Sequence, residues 1–219
     1  MIKEQVKEIL KKVKRLQNGD ISTAMANMGI KYKLNYGVSI PQLQQLAKDY
    51  SKDNDLAFLL FNKDIREAKV ISSMLFDTEL LLSVELINIS EGIDNIELIE
   101  QFSRNIFSKS SKLVKILPVL IDGNYWQEAL AVYSISWGIK NNLNIQEYLV
   151  NFGIDKLKSI NSIENSIVKK AFVFMLQTIS NINEKYYSSM IELAKETDNK
   201  SINTDKDDIF KEFLFIYSK

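Results

Sequence analysis

Apolar residues recur every three or four positions in one segment after another of this chain, and only a few residues separate each segment from the next. The first segment places Val6, Ile9, Leu10, Val13 and Leu16 on one face, with lysines elsewhere, and Asn18-Gly19 ends it. Such spacing belongs to helices that lay one stripe on a core, and short links between them favour antiparallel neighbours. Ser39 before Ile40-Pro41-Gln42 supplies an N-cap hydroxyl, a first-turn proline and a reciprocating Gln, which opens a helix to about Tyr50. Asp64-Ile65-Arg66-Glu67 reads as a second capping box, opening a helix to about Phe76. The spacing predicts further helices near 21–28, 54–61, 78–90, 95–107, 109–121 and 125–141, then near 145–158 (with Gly153 as a candidate break), 165–179, 183–196 and 205–217.

With 7 Gly and 2 Pro in 219 residues, punctuation is too sparse for many short strands. The run Ala131-Val132-Tyr133-Ser134-Ile135 has β-propensity but lacks an alternating partner segment, so it too reads as helix. Long helices begin near 64, 95, 125 and 165, each followed by a shorter partner. A pitch of roughly 30–40 residues describes a HEAT-type α-solenoid of antiparallel pairs, each burying its apolar face on the next. No composition shift marks a boundary, so residues 1–219 read as one all-α domain. The polar stretch 196–208 reads as a loop, and the helix after it as a cap on the stack.

The chemistry open to such a chain is narrow. It holds no cysteine and no histidine, which removes thiolate nucleophiles, Cys-ligated zinc and the commonest general base and metal ligand. No cofactor or metal is expected: no Gly-rich phosphate loop is present, and Asp205, Asp207 and Asp208 lack calcium-loop spacing. Asp94, Glu97 and Glu100 share one helix face, where an acidic first turn suits the helix dipole. No apolar run reaches the roughly 20 residues of a membrane span, and the amphipathic start is unlike a signal peptide, so a soluble cytoplasmic protein is expected. A formal charge of zero excludes an all-over basic coat but not a local basic face. The cluster Lys11, Lys12, Lys14 and Arg15 shares its helix with Glu4 and Glu8 and reads as a solvated face.

Two stretches carry a family resemblance. Asn35-Tyr36-Gly37-Val38-Ser39-Ile40-Pro41, followed by Leu60-Phe61 and Asp64-Ile65-Arg66-Glu67-Ala68-Lys69, forms an aromatic-Gly-Val-x-x-Pro turn, a helix, a Leu-aromatic pair and a charged helix start. Later, Lys170-Ala171-Phe172-Val173-Phe174-Met175-Leu176 forms a Lys-Ala-x-x-aromatic-x-Leu run. In order and spacing these resemble the DNA alkylation repair (AlkD-like) family over about residues 20–180. The resemblance implies a curved HEAT-like solenoid with a concave DNA-binding face. It also implies kinship with glycosylases that remove N3- and N7-alkylated purines using two tryptophans and an aspartate.

At the matching positions this chain departs from that pattern. Ile96 stands at the first tryptophan, Glu100 at the aspartate and Phe174 at the second tryptophan, while the phosphate-clamping arginine falls on Glu128 or Ala129. The resemblance therefore implies a DNA-binding protein with weak or no glycosylase activity, holding the backbone of damaged or branched DNA. Arg66, Lys69, Arg104, Lys169 and Lys170 would form a discontinuous phosphate track, joined by the aromatics Trp126 and Phe174. Ordinary surface charge and ordinary core aromatics are the competing readings of the same residues, and Trp137 reads as packing. Two other functions stay open: an active alkylpurine glycosylase using Glu100, and a helical-repeat scaffold for protein partners.

Overall fold

The computed structural model describes residues 2–141, 144–159, 165–198 and 205–217. Thirteen α-helices account for most of them, and the only β pairing among the described residues is one isolated bridge, Leu34 to Ile65. No helix among these residues is long and apolar enough to cross a membrane. The chain divides into two compact bodies, Met1–Ser111 and Lys112–Lys219.

The first body contains α1 (Ile2–Arg15), α2 (Gly19–Asn27), α3 (Ile40–Ala47), α4 (Asn54–Phe61), α5 (Arg66–Leu75), α6 (Ser83–Glu91) and α7 (Ile96–Asn105). α5 packs on α3, α4 and α7, and α1 packs on α3 and α4. Local hydrogen bonds fix the starts of several of these helices. The Asp53 carboxylate takes the Leu56 N–H at 3.0 Å to start α4, which then buries Leu56, Ala57, Leu60 and Phe61. At α3 the Gln42 side-chain oxygen accepts from both the Ser39 N–H (3.2 Å) and the Ser39 hydroxyl (2.7 Å), so the Gln42 half of the expected cap is present.

Three expectations need correction here. Asp64 does not cap α5; it pairs with Lys33 at the surface (2.9 Å), because the Arg66 N–H that a cap would serve already donates to the Leu34 carbonyl at 2.9 Å. The helix expected from Thr78 begins at Ser83. The Asp77 carboxylate takes the Glu79 N–H (3.1 Å) in a turn, and Glu85 reaches back to the Leu82 N–H (2.7 Å) to start the helix there. The helix expected from Lys109 begins at Leu113, because the Lys109 and Ser110 N–H groups both return to the Ile106 carbonyl at 3.1 Å and close a 3₁₀ turn.

The second body is built around α9 (Tyr125–Asn141), with α8 (Leu113–Ile121), α10 (Gln146–Ser159) and α11 (Ser166–Ser180) against it. α12 (Glu184–Asp198) and α13 (Asp205–Tyr217) pack on α11 and on each other. Residues Ala129 to Ser136 of α9 are all buried, which makes this helix apolar on every side. That is why a β-like run lies inside a helix: tertiary burial, not local propensity, decides it. Its two interior serines are satisfied within the helix, Ser134 donating to the Leu130 carbonyl (2.6 Å) and Ser136 to that of Val132 (2.9 Å). Gly153 does not break α10. A Cβ there would meet the Met175 sulfur of α11 at 2.6 Å, so the glycine lets two helices approach closely. Of the stretch 196–208 expected to be a loop, residues 196–198 end α12 and 205–208 open α13, and 199–204 lie outside the described residues.

Candidate nucleic-acid interface

In the first body, α7 starts on Asn95, whose side-chain oxygen accepts from the Leu98 N–H at 3.1 Å. Glu97 turns inward from the first turn, whereas Glu100 and Arg104 are exposed farther along the helix. Arg66 is not an accessible cation. It is 2 % exposed, its Nε and Nη2 grip Glu97 at 2.6–3.1 Å, and its Nη1 donates to the Val38 carbonyl (2.7 Å) and Glu67 (3.0 Å). Burial alone would lower its pKa; hydrogen bonds and charge from Glu97 and Glu67 outweigh that and hold it above the ordinary arginine value. The expectation of a phosphate contact at Arg66 is thus replaced by a structural role.

Around it the irregular segment 29–38 is tied down. Glu67, fully buried, accepts from the Tyr36 N–H (3.1 Å) and the Val38 N–H (3.2 Å). The Tyr32 hydroxyl lies 2.7 Å from Glu97 Oε2 and 3.0 Å from Asn95 Oδ1. Burial, and then the Glu97 carboxylate, push that phenol far above its ordinary pKa, so it remains a donor. Lys69 is half-buried, its Nζ 3.5 Å from the Gly92 carbonyl oxygen and 5.5 Å from the Phe61 ring centroid.

Glu100 has its pKa raised, first by partial burial and then by the Glu97 carboxylate one turn earlier. A carboxyl raised in the folded state contributes stability that is complete below its unfolded pKa and is lost as pH rises through its folded one. Glu100→Gln is therefore expected to leave stability unchanged near about pH 3 and to raise it by about 0.2–0.5 kcal/mol near about pH 7.5, the small size reflecting screening at an exposed site. Urea midpoints at the two pH values check this, and a loss of stability at the higher pH would contradict it.

In the second body, Lys170 is exposed on α11, while Lys169 pairs with Asp208 at 3.2 Å. Phe174 is half-buried on the same helix. Trp126 is half-exposed in the first turn of α9, its ring 4.6 Å from that of Tyr125. Of the two candidates for the arginine position, Ala129 is buried and Glu128 is half-buried with a raised pKa, caused by burial and opposed by Lys156.

The structure adds residues that sequence reasoning assigned to packing or passed over. Tyr133, Trp137 and Lys140 lie at helical spacing on α9 beside Phe174. The Tyr133 and Phe174 ring centroids are 5.3 Å apart, those of Trp137 and Phe174 are 6.0 Å apart, and the Lys140 ammonium stands 4.5 Å from the Phe174 centroid and 5.0 Å from that of Trp137. The 133/137/140 spacing was a readable signal; the neighbouring Phe174 was not, because it comes from another helix.

Among the described residues no group of three or more metal-ligating side chains converges. A search of curated proteins finds no match. One solved structure aligns over 87 % of this chain and 82 % of its own, at 15 % identity and a TM-score of 0.78; it is described as a new family of proteins related to the HEAT-like repeat DNA glycosylases, with affinity for branched DNA structures. That likeness shows a HEAT-like helical-repeat fold. The family model described as DNA alkylation repair enzyme matches residues 9–202, and the chain belongs to that family.

Proposed function

We propose that the protein binds DNA through its phosphates, prefers branched or damaged forms over intact duplex, and cleaves N-glycosidic bonds weakly or not at all. Membership of the DNA alkylation repair family over residues 9–202 carries this reading. The preference for branched forms extends to this chain what is described of its structural neighbour.

The catalytic half of the reading rests on four positions. Ile96 offers no π face to a sugar or backbone. Glu100 carries its carboxyl one methylene farther out than an aspartate would, which moves the charge that would stabilise a developing sugar cation. A misplacement of about 1 Å at a reacting centre costs on the order of 100-fold. Glu128 and Ala129 give no cation where active relatives clamp a phosphate.

Arg104 in the first body and Lys170 in the second are exposed, while Lys69 lies beside the Gly92 carbonyl and Lys169 pairs with Asp208. With about four phosphate contacts, log Kobs against log salt should fall with a slope of roughly −3 to −4. Filter binding to duplex, three-way junction and alkylated DNA at several salt concentrations measures it. Release of 7-methylguanine or 3-methyladenine should stay at background, and Glu100→Gln should leave DNA affinity unchanged. Absence of affinity for every form at low salt defeats the binding reading. Base release that vanishes in Glu100→Gln establishes a working glycosylase instead.

A further inference from the structure

We infer that Trp137 and Phe174, flanked by Lys140 and Lys170, form a platform on which an unpaired nucleobase stacks while the two ammonium groups take the neighbouring phosphates. The inference rests on the phosphate-binding reading and says which nucleotides that reading favours. Three observations carry it. Trp137 and Phe174 are each partly open to solvent, although their helices pack on one another, and Tyr133, only 9 % exposed, backs Phe174 from within the body. The Phe174 ring is therefore held in place from beneath, and Trp137 packs beside it with centroids 6.0 Å apart. Lys140 is exposed yet lies over both ring faces, 4.5 and 5.0 Å from their centroids, so those faces are open to a group approaching from outside the body. Lys170 stands one turn before Phe174 on α11 and is exposed, which places a second cation on the same face of that helix.

Aromatic faces and cations interleaved in this way match the chemistry of a single strand. Every base has a π face, so stacking tolerates any sequence, and the ammonium groups follow the backbone. A continuous duplex hides those faces in its own base stack. A branch point or an extruded nucleotide exposes them, so the platform accounts physically for a preference for branched over intact duplex. On binding, the base takes the ring face and Lys140 swings from it to a phosphate.

Trp126→Phe leaves Trp137 as the sole tryptophan and makes its fluorescence a direct reporter. In that full-length background, oligothymidylate should quench the emission, whereas an abasic strand of equal length and a blunt duplex should not. Trp137→Leu and Phe174→Leu, which keep much of the buried volume, should each weaken oligothymidylate binding roughly tenfold and change duplex binding by less than about twofold. Lys140→Gln, a surface change, should weaken binding of oligothymidylate and of the abasic strand equally and flatten the salt dependence of both. Equal quenching by the abasic strand, or no quenching while duplex still binds, overturns the platform and leaves the phosphate reading standing. No binding to strand or duplex overturns both.

Discussion

Arg66→Met should cost the first body about 3–5 kcal/mol, seen as a large fall in the urea midpoint followed by far-ultraviolet circular dichroism. The native guanidinium is 2 % exposed and meets Glu97, Glu67 and the Val38 carbonyl at 2.6–3.1 Å. Methionine fills much of the space but leaves the fully buried Glu67 and the 12 % exposed Glu97 side chain without their cation. The loss comes less from the attraction removed than from carboxylates left in a poorly solvating interior. Against a typical total of about 5–15 kcal/mol, such a change unfolds a large share of molecules. Adding Glu67→Gln and Glu97→Gln should recover part of the loss, because neutral amides need no counter-charge. A stability loss below about 1 kcal/mol for the single change would show that the network is not a stabilising centre.

The second large effect is at Gly37. Its φ is +72°, and an added Cβ would run into the Asn18 carbonyl oxygen and stand 2.9 Å from the Ser22 nitrogen, both backbone atoms that no rotamer change can move. Those atoms belong to the start of α2, where Asn18 accepts from the Asp20 and Ile21 N–H groups at 3.0 and 3.2 Å. Positive φ and the clash together should make Gly37→Ala cost about 2–4 kcal/mol. Gly29→Ala supplies the contrast: its φ is +82°, but nothing lies within 4 Å of the added carbon, so only the conformational part, about 1 kcal/mol, should appear. Equal effects at the two glycines would remove the steric argument. Tyr36 and Val38, on either side of Gly37, donate to Glu67, so Gly37→Ala and Arg66→Met disturb one network and should not add.

The helical architecture was largely legible because periodicity and caps are local. The helix 125–141 has the bounds read from its spacing, and Gln42 reaches back to the Ser39 N–H as its place in the motif requires. What the sequence concealed is non-local. Asp64 looks like a cap until Lys33 and the Leu34–Ile65 bridge are brought beside it, and Arg66 looks like a surface cation until two glutamates surround it. The aromatic group on α9 needed Phe174 from α11, forty-one and thirty-seven residues after Tyr133 and Trp137. Helical spacing says which residues share a stripe; it does not say which stripe faces which.

The partition of the chain at Ser111–Lys112 determines which signals see which changes. Both tryptophans, at 126 and 137, lie after it, whereas Arg66 and Gly37 lie before it. Indole emission therefore watches melting of residues 112–219 directly, whereas far-ultraviolet ellipticity watches the helices of both halves. Superposed curves from the two probes would mean the halves melt as one cooperative unit, and separated curves would assign one transition to each.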